Sequence, residues 1–127
     1  MTAPALGLGV DAVDLERFRT SLARTPGLVA RLFTDAERAY ASRRRDPTER
    51  LAARFAAKEA VMKALGVGLG AFPFRDVEVA RADSGEPALV LRGAAAELAA
   101  ARGVQRWHVS LTHTATTAIA VVLALPE

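Results

Sequence analysis

The stretch that decides the fold runs from residue 46 to residue 66 and reads DPTERLAARFAAKEAVMKALG. An aspartate that can cap a helix, a proline at the first helical position and an acid two residues later are typical of a helix start. Gly66 is typical of a helix end, because glycine readily adopts the left-handed conformation that follows a last turn. The sequence therefore predicts one long helix, capped by Asp46 and running to Leu65.

Two faces of this helix differ in character at 100° per residue. One is a large apolar stripe that we expect to face the core: Leu51, Phe55, Met62 and Leu65. The other, about 80° away by the same helical geometry, carries small residues and two charged ones: Ala52, Ala56, Glu59, Lys63 and Gly66. Small residues let a backbone or a ligand approach closely, but a glutamate and a lysine four residues apart are also common on a solvated surface. Lys58 interrupts the apolar stripe, so its ammonium must reach water along a buried stem or meet a buried anion.

Short strands and helices are predicted around the long helix. Alternating side chains predict strands over 8–13 and 107–112, a hairpin joins 77–79 to 89–91, and residues 118–125, apolar on both faces, form a central strand. Helices are predicted after Asp14, after the capping box of Thr34 and Glu37, and over 94–101. Because strands and helices do not alternate one by one, we expect an α+β fold. It is a compact single domain over residues 1–127, with a mainly antiparallel sheet packed against the long central helix and shorter helices.

The composition of the chain limits the kinds of site, location and ligand that we expect. The chain has 127 residues and no cysteine, which excludes disulfides and thiolate sites and fits a reducing compartment. The longest apolar run has about eight residues, too few to span a bilayer, and the first nine residues lack the features of a secretory signal, so we expect a cytoplasmic protein without membrane association. Net charge is +3, which suits an anionic ligand or an acidic partner. The seven aromatic residues do not interleave with arginines, which argues against nucleic-acid binding.

Two other residues are candidates for chemistry. Asp11 lies in an apolar strand, and together with Glu59 it would supply the one or two carboxylates that typically hold Mg²⁺ alongside substrate phosphates. Sequence spacing alone does not show that the two meet. His113 lies in a threonine-rich turn, where an imidazole can bind a phosphate or simply satisfy the turn. Metal ligation by His113 is not expected, because His108, the only other histidine, lies five residues back and faces the other way.

Three segments together resemble the holo-acyl-carrier-protein synthase family of phosphopantetheinyl transferases. They are GLGVDAVDLERF at 7–18, RFAAKEAVMKALG at 54–66 and HVSLTHT at 108–114. The resemblance covers nearly the whole chain, and its second segment is the most specific. Departures are mild: Ala12 replaces a larger aliphatic residue, Glu86 a lysine, and Thr117 a tyrosine.

The resemblance implies a Mg²⁺-dependent enzyme that transfers the 4′-phosphopantetheine arm of coenzyme A to a serine of apo acyl carrier protein and releases 3′,5′-ADP. Asp11 and Glu59 would bind Mg²⁺ with the diphosphate, and Lys63 would lie at the phosphates. The serine proton would pass to Glu59 or to a metal-bound water. Further coenzyme A contacts are expected at Arg54, Lys58, Gly66 and His113. Arg17 and Arg24, which share a face of the first helix, would dock the acidic carrier protein. The family assembles as a homotrimer with active sites between subunits.

Two other functions remain open at this point. One is a basic nucleic-acid-binding domain, and the other is an inactive trimer that binds carrier protein without modifying it. The intact set of Asp11, Glu59 and Lys63 argues against the inactive trimer. Incubation with apo carrier protein, coenzyme A and Mg²⁺ distinguishes all three functions.

Overall fold

Two antiparallel sheets and one long helix organise the chain in the structure, a computed structural model that describes residues 4–127. The helices are α1 (Leu15–Arg24), α2 (Leu28–Leu32), α3 (Asp35–Ala41), α4 (Thr48–Ala64) and α5 (Gly93–Ala101). The strands are β1 (Gly7–Asp14), β2 (Val77–Arg81), β3 (Pro87–Leu91), β4 (Arg106–His113) and β5 (Thr117–Leu125), and a 3-10 turn spans Phe74–Asp76. These elements confirm the predicted α+β class. No helix within the described range is long and apolar enough to cross a membrane.

The strands form two sheets rather than one. β5 lies between β1 and β4 in a three-stranded sheet, and β2 pairs with β3 in a separate hairpin, with every pairing antiparallel. The central position predicted for β5 is confirmed. Its alternate residues, among them Ala120 and Val122, are fully buried, because this face of the sheet packs on α4. Val10 and Val121, paired across the sheet, point away from α4 and remain more than a third exposed.

The local signals for α4 are borne out with small shifts. The helix begins one residue later than predicted, so Pro47 rather than Asp46 occupies the N-cap position, but the Asp46 carboxylate still accepts the Thr48 N–H at 3.0 Å and satisfies the first helical donor. At the other end Gly66 has φ 71°, the left-handed conformation expected after a last turn. The buried surface of α4 is wider than the predicted apolar stripe, because 11 of its 17 residues are buried. The helix is covered on several sides by β1, β5, α1 and α3.

Two glycines let β1 lie directly on α4. A Cβ at Gly9 would fall 1.8 Å from the Ala60 carbonyl oxygen, and a Cβ at Gly7 would fall 2.0 Å from that of Ala64. Alternate residues of a strand share a face, so Asp11 points to the same side as the two glycines. This close approach of backbones brings Asp11 to the surface of the helix that carries the charged residues.

The capping signals for the shorter helices are also confirmed. Asp14 accepts the Arg17 N–H at 2.9 Å at the start of α1, and Thr34 and Glu37 form both bonds of a capping box at the start of α3. The sequence did not predict α2, which is five residues long and follows a left-handed Gly27. A helix this short has too little periodicity to be read from sequence.

Candidate active site

One cleft gathers the two carboxylates that the sequence singled out. Asp11 from β1 and Glu59 from α4 line a cleft of about 280 Å³, together with Arg17, Ser21 and Phe55. The start of α1 forms its rim, so this carboxylate cleft opens beside the first helix. The structure therefore brings Asp11 and Glu59 together, which sequence spacing could not show.

The charges in the carboxylate cleft are coupled. The Lys63 ammonium donates to an Asp11 carboxylate oxygen at 3.1 Å and to the Val10 carbonyl oxygen at 3.0 Å. Partial burial raises the pKa of Glu59, the charge of Asp11 raises it further, and Lys63 opposes both effects. The two carboxylates thus repel each other, and Lys63 offsets only part of that repulsion.

A divalent cation fits this donor set. Two carboxylates that face one cleft attract a positive ion, and the charge of Asp11 contributes to the raised pKa of Glu59. Within residues 4–127 no group of three or more histidine, cysteine, aspartate or glutamate side chains is gathered for a metal. Oxygen ligands from water and from a substrate would complete the coordination, as is usual for Mg²⁺. Asp11 and Glu59 are the residues that would hold it.

A second cleft lies on the other flank of α4 and is built around Tyr40. The guanidinium carbons of four arginines lie 4.1–5.5 Å from the centre of its ring: Arg50, Arg54, Arg81 and Arg43. None of the four forms an ion pair with a carboxylate in the part of the chain that the structure describes. We call this the arginine cleft. Glu49 also lines this cleft, but among the described residues no carboxylate lies at ion-pair distance from the four guanidinium groups.

Arg54 and His113 both line the arginine cleft, whose volume is about 270 Å³. Arg54 is 4% exposed, and its Nε is buried without a hydrogen-bond partner among the described residues. Burial lowers the pKa of Arg54. The His113 Nε2 lies 3.1 Å from a Glu49 carboxylate oxygen, at the mouth of the cleft. An unsatisfied donor on a buried guanidinium is costly, so Arg54 is the cleft residue whose hydrogen bonding is least complete within the described part of the chain.

Lys58 does not belong to either cleft, which corrects its expected role as a coenzyme A contact. Its side chain is completely buried, and its ammonium donates to a Glu37 carboxylate oxygen at 2.8 Å, to the Phe74 carbonyl oxygen at 3.1 Å and to the Val77 carbonyl oxygen. An ammonium has three protons, so none remains for a ligand. Burial lowers the pKa of Lys58, and the nearby Glu37 carboxylate opposes that shift. Of the two alternatives raised by the sequence, the buried anion is the one observed.

The other expected site residues lie around these two clefts. Gly66 and Lys63 border a separate hollow at the end of α4, which Arg102 also lines. Arg17 borders the carboxylate cleft, whereas Arg24 is exposed near the end of α1 and does not line it. Seven residues separate the two arginines, so they share one face of that helix.

Sequence reasoning missed Tyr40, Arg50 and Arg81, and it identified Glu37 only as part of a capping box and not as the partner of Lys58. One signal for Arg50 was present, because it lies four residues before Arg54 on a helix, and like charges at that spacing repel. A pair of this kind indicates that something else, here an aromatic ring and a site for an anion, compensates the repulsion. No local signal connects Tyr40 to Arg81, which lies 41 positions away in sequence.

Comparison with known proteins identifies the family to which this sequence and fold belong. Residues 7–122 match the family described as the 4′-phosphopantetheinyl transferase superfamily. The chain belongs to this family. A holo-acyl-carrier-protein synthase of Clavibacter sepedonicus is 53% identical over 121 residues, covering 95% of this chain and 96% of the relative.

Solved structures of phosphopantetheinyl transferases share the architecture. A holo-acyl-carrier-protein synthase of Bacillus anthracis in complex with coenzyme A (3′,5′-ADP) matches with TM-score 0.81 at 32% identity, covering 98% of this chain and all of that one. The enzyme of Neisseria meningitidis matches with TM-score 0.85 at 31% identity, covering 95% and 98%. The family predicted from the three sequence segments is confirmed.

Proposed function

We propose that this phosphopantetheinyl transferase moves the 4′-phosphopantetheine arm of coenzyme A to a serine of an apo acyl carrier protein, with Mg²⁺, and releases 3′,5′-ADP. The observation that carries the proposal is the carboxylate cleft, where Asp11, Glu59 and Lys63 meet in a chain of this family. Relatives that cover nearly the whole chain are named holo-acyl-carrier-protein synthases, and one solved relative binds coenzyme A.

The chemistry follows from the charges of the cleft. The serine oxygen attacks the phosphorus joined to pantetheine, a new P–O bond forms, and the bond to 3′,5′-ADP breaks, leaving the electron pair on the departing phosphate. Mg²⁺ bound by Asp11 and Glu59 would supply positive charge at the diphosphate. Lys63 adds a second positive charge from the same side. The serine proton would pass to the Glu59 carboxylate or to a water held by the metal ion.

The arginine cleft suits the other phosphate of coenzyme A. The diphosphate is assigned to the carboxylate cleft, so the 3′-phosphate monoester, a dianion, is left to be bound. Arg54 offers a buried guanidinium with an unsatisfied N–H, and His113 lies at the mouth. Guanidinium groups bind phosphate through paired N–H donors, so Arg54, Arg50 and Arg81 are proposed to hold the 3′-phosphate.

A homotrimer with sites between subunits is consistent with this division. Arg54 and Glu59 lie about 140° apart around α4, so the two clefts open on different flanks of one chain. The outer face of the three-stranded sheet exposes Leu8 by 64% and Val10 by 53%, beside Val121 at 38%. Apolar faces of this kind mark contact surfaces. We propose that neighbouring subunits meet on this face and that one coenzyme A bridges clefts of two chains.

The carrier protein is proposed to dock on α1. Arg17 and Arg24 present positive charge on one exposed face of that helix, and Arg17 also borders the carboxylate cleft. An acidic partner bound there would place its serine beside Asp11 and Glu59. We assign the reaction to the cytoplasm, in keeping with a chain that contains no cysteine.

Mass spectrometry of the carrier protein tests the proposed function. Incubation of apo carrier with coenzyme A and Mg²⁺ should add the mass of one phosphopantetheine arm. Asp11→Ala and Glu59→Ala should each abolish the transfer with little change in melting temperature. The matched control is Glu97→Ala, which removes an exposed acid on α5 and should transfer normally.

Each outcome has a separate meaning. An unmodified carrier with wild-type enzyme would refute the proposed reaction and favour the non-catalytic binding trimer. Near-normal turnover of either carboxylate variant would remove that residue from the metal site. Sedimentation equilibrium at micromolar concentration tests the trimer, and a monomer would contradict a site shared between chains.

A further inference from the structure

A completely buried ion pair lies beneath the arginine cleft. The Lys58 ammonium and the Glu37 carboxylate are 2.8 Å apart, and both side chains are 0% exposed. Lys58 also donates to the Phe74 and Val77 carbonyl oxygens, and Glu37 also accepts the N–H groups of Thr34 at 3.0 Å and Val79 at 2.9 Å. The proposed reaction does not use either side chain.

A gain in stability alone does not explain why this ion pair is buried in the core. Removing two charges from water is expensive, and replacing a buried ion pair with apolar residues of similar volume is often neutral or stabilising. Removing one partner, in contrast, leaves an uncompensated charge in the core. The pair does fix the orientation of both side chains, since all three Lys58 protons and both Glu37 oxygens have fixed partners.

The partners of the pair belong to the elements that build the arginine cleft. Glu37 lies on α3 three residues before Tyr40, and Lys58 lies on α4 four residues after Arg54, so each is about one helical turn from a cleft residue. The Val79 N–H bound by Glu37 lies on β2, which ends at Arg81. One ion pair therefore joins the elements that bring the ring, the buried guanidinium and another arginine to one point.

We propose that the Glu37–Lys58 pair is a positioning device that sets the arginine cleft for the 3′-phosphate of coenzyme A. The ion pair and the Tyr40–Arg54 stacking contact at 4.4 Å are two links between α3 and α4, spaced one turn apart. Fixing the first link fixes the ring on which Arg54 rests. Neither Glu37 nor Lys58 touches the ligand. The inference rests on the proposed function, because it concerns the recognition of coenzyme A.

The test compares coenzyme A with 3′-dephospho-coenzyme A, which lacks the phosphate in question. Isothermal titration calorimetry with Mg²⁺ gives the dissociation constant of each ligand. The ratio of the dissociation constant of the dephospho ligand to that of coenzyme A measures what the 3′-phosphate contributes to binding. Lys58→Met should lower that ratio by about tenfold, which corresponds to about 1.4 kcal/mol and lies within the range of coupling energies between linked groups. The variant should lose affinity for coenzyme A. Its affinity for the dephospho ligand should change less than about twofold, because sites that do not interact contribute independently to binding.

A matched control separates positioning from loss of stability. Val61→Ala empties space at a fully buried position of the same helix, away from both clefts, and should lower the melting temperature without changing the ratio. Because Lys58→Met leaves Glu37 unpaired, the double variant Glu37→Leu with Lys58→Met is made as well. It contains no buried charge from the pair, so it should lose less stability than Lys58→Met does, and it should show the same loss of phosphate recognition.

The outcomes distinguish this inference from the function it rests on. An unchanged ratio in a folded Lys58→Met or double variant would overturn the positioning role. If the wild type binds both ligands equally, the 3′-phosphate does not occupy the arginine cleft and the inference also fails, although phosphopantetheine transfer could still be observed. Failure of wild-type transfer is scored separately by the mass of the carrier protein.

Discussion

The contact of Gly9 with α4 gives a sharp prediction about the carboxylate cleft. A Cβ at Gly9 would lie 1.8 Å from the Ala60 carbonyl oxygen, and Cβ atoms essentially never come closer than 3.0 Å to such an atom. In Gly9→Ala the strand and the helix must therefore separate by about 1.2 Å, since neither backbone atom can rotate away. Asp11, two residues along β1, moves with the strand.

The size of the effect follows from this displacement. Inserting a methyl group into a packed contact costs about 1–3 kcal/mol, which lowers the melting temperature by about 4 °C per kcal/mol at this chain length. The Lys63–Asp11 distance of 3.1 Å would lengthen beyond hydrogen-bond range. Misplacement of catalytic groups by about 1 Å can cost about a hundredfold in rate. We expect a loss of that order in turnover, with a higher Mg²⁺ concentration for half-maximal activity.

Turnover, Mg²⁺ dependence and thermal unfolding of three variants check the reasoning. Gly68→Ala is the control, because a Cβ there meets no atom within 4 Å and its φ is not positive. Gly7→Ala makes a similar clash at 2.0 Å but lies farther along the strand from Asp11, so it should lose stability with a smaller change in Mg²⁺ dependence. A Gly9→Ala enzyme with wild-type Mg²⁺ dependence and turnover would refute the idea that the close contact sets the cleft.

Three further predictions concern charge. Replacing Arg17 and Arg24 with glutamate should raise the KM for carrier protein and leave that for coenzyme A unchanged; loss of coenzyme A affinity instead would place these arginines in the nucleotide site. Because the pKa of Glu59 is raised above its ordinary 4.5, Mg²⁺ binding measured by calorimetry should weaken on acidification before an ordinary glutamate would protonate, and Glu59→Gln, which is not expected to turn over, should bind Mg²⁺ weakly without this pH dependence. Asp46→Ala should lower the melting temperature through loss of the Thr48 cap, by about 0.5–2 kcal/mol of stability. Hydrogen bonding lowers the pKa of Asp46 to about 2, so the cap's contribution, complete above about pH 4, should fade towards pH 2.

Local physics explains why much of the fold could be predicted from sequence. The caps at Asp14, Thr34 and Asp46 are set by side chains that bond N–H groups two or three residues away, so no distant part of the chain is needed to recognise them. The central position of β5 follows from an apolar strand that needs cover on both faces. The division into two sheets depends on how β3 and β4 pack, which is a tertiary matter that alternation does not encode.

More of the functional residues could be predicted from the sequence for the carboxylate cleft than for the arginine cleft. Asp11 and Glu59 were identified because a carboxylate in an apolar strand and another on a small-residue face are unusual. Tyr40 and Arg81 are ordinary in their local segments, and only the packing of α3 and β2 against α4 brings them to Arg54. Lys58 shows the same limit, because its anomalous place in an apolar stripe was visible while its partner, Glu37, was identifiable only as a helix cap.

One helix thus supplies a carboxylate cleft and an arginine cleft, which are proposed to face two different coenzyme A molecules shared with neighbouring chains. Glu59 and Arg54 lie on different flanks of α4, so a rotation or slide of the helix that favours one cleft would disturb the other. Each flank has its own anchor: the glycine contact with β1 beside Glu59, and the buried Glu37–Lys58 pair beside Arg54. The two anchors differ in kind. The contact with β1 depends on glycines, which have no side chain, whereas the ion pair depends on two long charged side chains. Together they hold α4 against a strand on one side and a helix on the other, so one helix can present a fixed phosphate site on each of its flanks.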